Sequence, residues 1–109
     1  RDLARFGLLY LQRGVWNGER LLSEQWIDFV TTPAPATSDI GNMYGGQFWL
    51  VPDDRTDVPE DAYMTNGNRG QCTIIVPSHG LVIVRRGLDY GRQGFDRWGL
   101  AREVIKAIN

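Results

Sequence analysis

Little in this sequence can ligate a metal or form a cross-link. There is one cysteine, Cys72, and one histidine, His79, in 109 residues. An internal disulfide is therefore impossible, and no zinc site of known pattern can be assembled. Lysine is nearly absent as well, since Lys106 stands alone. A net charge of −1 gives no electrostatic case for a nucleic-acid or anionic-membrane partner. No apolar run approaches the roughly 20 residues of a membrane span. No internal repeat or low-complexity tract interrupts the chain. An initiator methionine is missing too, and the opening Arg1-Asp2-Leu3-Ala4-Arg5 already reads as helix. The expectation is a chain that starts inside a longer protein, with any targeting signal upstream. What is present has the composition of a folded domain: 42% hydrophobic and 23% charged residues, in a length that suits one domain or part of one.

Leu3, Phe6, Leu9, Tyr10 and Leu11 recur at mostly three- and four-residue spacing, which predicts a helix over 2–12 ended by Gly14. Trp16-Asn17-Gly18-Glu19 reads as a turn. Ser23 is placed to cap a short helix over 24–30, with Glu24 favourable in its first turn. Pro33 and Pro35 then open a loop. Residues 44–51 are aromatic and β-prone and predict a strand, with a bulge or close backbone approach at Gly45-Gly46. Asp53 to Asp61 reads as a polar surface loop. Residues 71–76 and 81–86 predict a hairpin reversing at Ser78-His79-Gly80. Asp89 to Gly94 reads as a further loop, followed by a helix over 95–108 with Trp98, Ala101, Val104, Ile105 and Ile108 on one face. The order helix, helix, three strands, helix predicts an α/β (α+β) sandwich: an antiparallel sheet flanked by helices.

The most unusual segment is Asn66-Gly67-Asn68-Arg69-Gly70-Gln71, just before a strand of buried character. Its backbone N–H groups could converge on an anion or a developing oxyanion, or Asn-Gly could simply start a turn. Ser78 beside His79 is read as turn chemistry, because neighbours in a tight turn cannot point usefully at one another. Cys72 in an apolar strand is read as a small buried hydrophobe. The acidic run Asp53, Asp54, Asp57, Glu60, Asp61 lacks the glycine turn and terminal Glu of a calcium loop and is read as solvated. Trp16, Trp26, Trp49 and Trp98 are read as mainly core, while Tyr44 and Trp49 could also wall a substrate cleft.

Several stretches, taken in order, resemble the penicillin-recognising serine hydrolases: β-lactamases, D,D-peptidases and related esterases. They are Asp2 to Leu11, then Gly14 to Ser23 with Trp26, then Tyr44-Gly45-Gly46-Gln47-Phe48-Trp49-Leu50, then Gly67-Asn68-Arg69-Gly70-Gln71 with the hairpin through Ile74-Ile75-Val76-Pro77 and Leu81-Val82-Ile83-Val84. The resemblance implies the C-terminal part of the β-lactamase/transpeptidase-like fold, with residues 1–109 forming a single C-terminal fragment. It implies that Asn68-Arg69-Gly70 takes the place of the family's third motif, usually Lys-Thr-Gly, His-Thr-Gly or His-x-Gly. Gly70 would let the strand edge lie against substrate, and Gln71 would lend its backbone N–H to the oxyanion hole. Asn68 departs from the pattern, since it can neither carry charge nor shuttle a proton at neutral pH. It fits an esterase, an amidase or an inactive homologue better than an efficient β-lactam hydrolase.

The family's nucleophilic Ser-x-x-Lys is absent. Ser23, Ser38 and Ser78 are followed three residues later by Trp26, Gly41 and Leu81. No Tyr-x-Asn occurs either. Both motifs would belong to an upstream part, and the chain by itself should be catalytically silent. The implied partner is a small-molecule ester, amide or β-lactam in the intact protein, with no cofactor. A periplasmic or secreted location is slightly favoured by the resemblance. Surfaces left by a missing part would favour self-association. The rival expectation is a non-catalytic homologue that binds ligands through the same sheet edge.

Overall fold

The N-terminal apolar stripe folds as helix α1 (Asp2–Leu11). The chain leaves it through Arg13 and Gly14, at φ 56° and 89°, and makes a small hairpin of β1 (Val15–Trp16) and β2 (Glu19–Arg20). Asn17 and Gly18, both at positive φ, form its two-residue turn, the chemistry such turns require. Helix α2 (Glu24–Val30) starts where Ser23 Oγ accepts the Trp26 N–H at 3.0 Å, as the capping argument predicts. This computed structural model describes residues 1–67, 71–87 and 95–108.

The main sheet is a four-stranded antiparallel meander in the order β3 (Trp49–Leu50), β4 (Tyr63–Asn66), β5 (Cys72–Val76), β6 (Leu81–Arg85). Register runs Trp49 to Met64, Met64 to Ile74 and Ile74 to Ile83. Helix α3 (Arg97–Ile108) follows. Together the described residues form an α+β domain with three α-helices and two antiparallel sheets. No helix among them is long and apolar enough to cross a membrane.

Because strand side chains alternate faces, β5 serves two cores. Cys72, Ile74 and Val76 face α3 and pack with Met64, Ile83, Trp98 and Ala101. Ile75 faces the opposite way and packs with Tyr10, Ile27, Val30, Phe48 and Tyr63, under α1 and α2. Every β5 residue is buried. Gly7 sets how closely α1 approaches: a Cβ there would lie 2.6 Å from Val82 Cγ1 and 3.0 Å from Thr73 Cγ2. Glycine costs helix stability at such a position, and this close contact is its structural reason.

Several expectations need correction. The strand expected over 44–51 shrinks to Trp49–Leu50, with an isolated bridge from Tyr44 to Trp49. Gln47 takes φ 71°, which breaks the extended backbone. A Cβ on Gly45 would lie 2.3 Å from the Val30 carbonyl oxygen, so the expected close backbone approach is there. β4 was not foreseen, and the sheet gains a strand from it. Residues 35–40, expected as loop, form a 3-10 turn. On α3, Trp98 and Ala101 are buried and Val104 and Ile105 pack against the core, but Ile108 is 57% exposed. Trp26, expected in the core, is 46% exposed.

Candidate functional site

The segment that resembles the third motif lies in sequence between β4 and β5. Asn68, Arg69 and Gly70 lie outside the described residues, as does the loop expected at 89–94. The two flanks of the turn are described. Asn66 pairs with Cys72, and the Gly67 N–H donates to the Gln71 carbonyl at 2.8 Å, closing the turn at its base. Arg97, at the start of α3, donates from Nη2 to the Gly67 carbonyl at 3.0 Å. The Thr73 N–H donates to Thr65 Oγ1 at 3.2 Å. Arg85, opposite Cys72 on β6, lays its guanidinium 3.7 Å above the Phe95 ring. One end of the sheet therefore carries a braced turn and two guanidinium groups. Sequence reasoning missed Arg85 and Arg97, because only the register of β6 and the docking of α3 bring them to this turn.

Tyr44 and Trp49 are together, with ring centroids 4.9 Å apart at 70°. They sit elsewhere in the sheet. Trp49 pairs with Met64, and Met64 pairs with Ile74, so Trp49 lies two strands across from β5 and three residues along it from Gln71. Trp49 packs against the α3-side core. The backbone thus joins Tyr44 to Trp49 but does not bring this pair to the Gln71 turn.

Cys72 is a buried free thiol. Burial pushes its pKa up, and the nearby Arg97 and Arg85 only partly oppose that. It stays protonated at neutral pH and makes a poor nucleophile. Ser78 and His79 do meet, contrary to expectation: Ser78 Oγ lies 3.1 Å from His79 Nδ1. The carboxylate beside them is bonded to the serine instead of the imidazole. Asp61 accepts from the Ser78 N–H at 2.7 Å and from Ser78 Oγ at 2.9 Å. A relay would need the acid on the histidine, so this cluster fastens the 53–61 loop to the hairpin.

The acidic loop is pinned as well as solvated. Arg55 grips Asp57 and Asp96 with two bonds each, the shortest being 2.7 Å to either carboxylate. Arg102 adds a bond to Asp57 at 3.0 Å. Hydrogen bonds from Arg55 hold the Asp57 carboxyl down at about 2 and lower that of Asp96. Asp96 also accepts the Gly99 N–H at 3.0 Å, so the same carboxylate caps α3. Among the described residues no group of three or more His, Cys, Asp or Glu side chains is placed to hold a metal.

A cleft of about 660 Å³ opens at the other end of the strands, between the 50–62 segment, Arg13, and the residues after α2. Tyr63 and Pro77 line it. Tyr63 pairs with Ile75 and Asn66 with Cys72, so the cleft and the braced turn are separated by most of the length of β4.

The chain matches no protein-family model. It is 30% identical over 105 residues to an uncharacterized protein of Alkalihalophilus pseudofirmus, an alignment covering 88% of this chain. The chain spans 31% of that relative's length, so the relative is a protein about three times as long.

Proposed function

We propose that this chain supplies the third-motif end of the α+β core of a penicillin-recognising serine hydrolase, acting with a part that bears Ser-x-x-Lys. The observation that carries the reading is the position of the Gly67-to-Gln71 turn. It leads directly into β5, a strand buried along its whole length, and Arg97 of α3 donates to the Gly67 carbonyl at its start. In such an enzyme a serine attacks an ester or amide carbonyl, and the Gln71 N–H steadies the oxyanion. Losing one such donor costs roughly 100- to 1,000-fold in rate. Arg85 and Arg97 stand at the same end of the sheet.

The test is made on the full-length protein that carries this chain, assayed with a short-chain nitrophenyl ester and a chromogenic cephalosporin. Gln71→Ala keeps most activity, because the proposed donor is a peptide group. Gln71→Pro removes the N–H and loses about 100-fold or more, with a thermal melt close to wild type. A well-folded Gln71→Pro enzyme with near-normal turnover would sink the oxyanion assignment. The isolated chain is expected to turn over neither substrate above a folded control protein. Asn68, where the family pattern has a basic residue, favours a second reading: a non-catalytic homologue that binds ligand at this edge. Full-length protein that resists labelling by a serine-directed phosphonate yet binds ligand would support that second reading.

A further inference from the structure

Asparagine is followed by glycine twice in this sequence, at Asn17-Gly18 and Asn66-Gly67. Such a pair is prone to react with itself, because no side chain shields the glycine nitrogen. Once deprotonated, that nitrogen can attack the asparagine Cγ, closing a five-membered succinimide and expelling ammonia. Water then opens the ring. Breaking the bond from nitrogen to Cγ gives aspartate. Breaking the bond from nitrogen to the backbone carbonyl carbon gives isoaspartate, whose main chain runs through Cγ. Either way one amide and one water become one carboxylic acid and one ammonia, with no other reagent. Both pairs are exposed, so exposure does not tell them apart. The state of the attacking nitrogen does.

At the tip of the β1–β2 hairpin that nitrogen is free. Asn17 and Gly18 take φ 50° and 80° between the paired Trp16 and Glu19. Neither the Gly18 N–H nor the Asn17 side chain makes a hydrogen bond among the described residues. A Cβ on Gly18 would meet nothing within 4 Å, so water has open access to the turn. At Asn66 the same nitrogen is held. The Gly67 N–H donates to the Gln71 carbonyl at 2.8 Å, Arg97 holds the Gly67 carbonyl at 3.0 Å, and Asn66 itself is paired with Cys72. A nitrogen engaged in this way must open locally before it can lose its proton and attack.

We infer that Asn17 is a self-modifying site, converting spontaneously to aspartate and isoaspartate, while the fold protects the identical pair at Asn66. The product adds a negative charge two residues from Glu19. Isoaspartate also adds a backbone carbon to a two-residue turn, whose geometry is set by its length, so the pairing of Trp16 with Glu19 loosens. The change stops at the base of the hairpin. There the Gly14 carbonyl accepts the Leu21 and Leu22 N–H groups at 2.8 and 3.1 Å. Arg20 Nη1 also donates to the Arg13 and Leu22 carbonyls at 2.9 and 2.8 Å. None of this depends on a serine hydrolase activity.

The test is to age the 109-residue chain in mildly alkaline buffer and to follow each asparagine by peptide mapping with mass spectrometry. Conversion at Asn17 is expected to run at least about fivefold faster than at Asn66, the scale of one backbone hydrogen bond that must open first. In denaturing urea both nitrogens are free, and the gap between the two sites is expected to close. Asn17→Ser is expected to remove the main acidic species that ion exchange separates from the aged chain. Amide NMR of the aged chain is expected to show changes confined to residues 14–22. Equal rates in the folded chain, faster conversion at Asn66, or a gap that persists in urea would each overturn the inference. So would an acidic species that forms at the wild-type rate in the Asn17→Ser chain, or NMR changes that spread into the main sheet.

Discussion

The two faces of the sheet are built from the same strands, yet they are finished differently. The α3 face is aliphatic and sealed: Ile74 and Val76 are 0% exposed there, Trp98 and Ala101 close over them, and ion pairs from Arg55 and Arg102 tie the 53–61 loop to the helix. The α1–α2 face is aromatic and only partly covered. Tyr10, Phe48 and Tyr63 interlock at centroid distances of 4.9 and 5.2 Å, and beside them Phe6, Trp26 and Phe29 stand 41%, 46% and 65% exposed. The contrast shows that one strand can feed a closed core and an open one at once. The alternation of side chains lets the closed face hold the fold while the open face keeps apolar surface available.

The sharpest way to break this comparison is to hollow out the closed face. Ile74→Ala is expected to cost about 3–4 kcal/mol of unfolding free energy, the range for fully buried Ile truncations. A chemical-denaturation midpoint almost unchanged from wild type would show that the α3 face does not hold the fold. Next in size is Gly7→Ala on the α1 face, where a new Cβ crowds Val82. Overpacking of this kind costs about 1–3 kcal/mol, offset by up to about 1 kcal/mol of helix propensity. A net loss of about 1–2 kcal/mol is expected, relieved in the Gly7→Ala/Val82→Ala double variant; additivity in that cycle would show that the helix is not seated on Val82.

A smaller effect is expected from Arg55→Met, and pH reveals it. Asp57 and Asp96 have lowered pKa values in the folded chain. Their ionised forms therefore contribute stability above the unfolded carboxylate value of about 3.9, and that contribution is lost as pH falls toward about 2. The Tm of the variant should lie below wild type at neutral pH, by less than for Gly7→Ala, and the gap should close between about pH 4 and pH 2. A gap that persists unchanged at pH 2 would assign the effect to packing of the Arg55 stem. The smallest change belongs to Phe29→Ser on the open face, within about 0.5 kcal/mol, read by the same melts. A large loss there would mean that the open face is part of the stabilising core after all.

What could be read from the sequence was local. Ser23 announced the start of α2, and Pro77 with Gly80 announced the β5–β6 reversal, because caps and turns depend on residues a few positions apart. β4 escaped notice because Tyr63–Asn66 is four residues long and half polar; its strand state comes from pairing with β5. The segment 44–51 was over-read because its aromatic content suggests a strand, whereas contact with the Val30 carbonyl bends it at Gly45 to Gln47. The site divides the same way. Gly67 and Gln71 stood out as a motif. The grip of Arg55 on Asp96, 41 residues away, and that of Asp61 on Ser78, 17 residues away, had no sequence signal, nor did the cleft they help enclose.

The meander of β3 to β6 has a consequence for how the chain reaches this structure. Each strand pairs with its nearest neighbours in sequence, so the loops that must close before a ladder can form are short and lose little entropy. The α1 contact with β5 and β6 is different, since Gly7 must find Thr73 and Val82 across more than sixty residues of intervening chain. The sheet can therefore assemble while the groove for α1 is still vacant. Seating that helix is the long-range step, and the single hydrogen atom on Gly7 makes the seat deep enough to hold it.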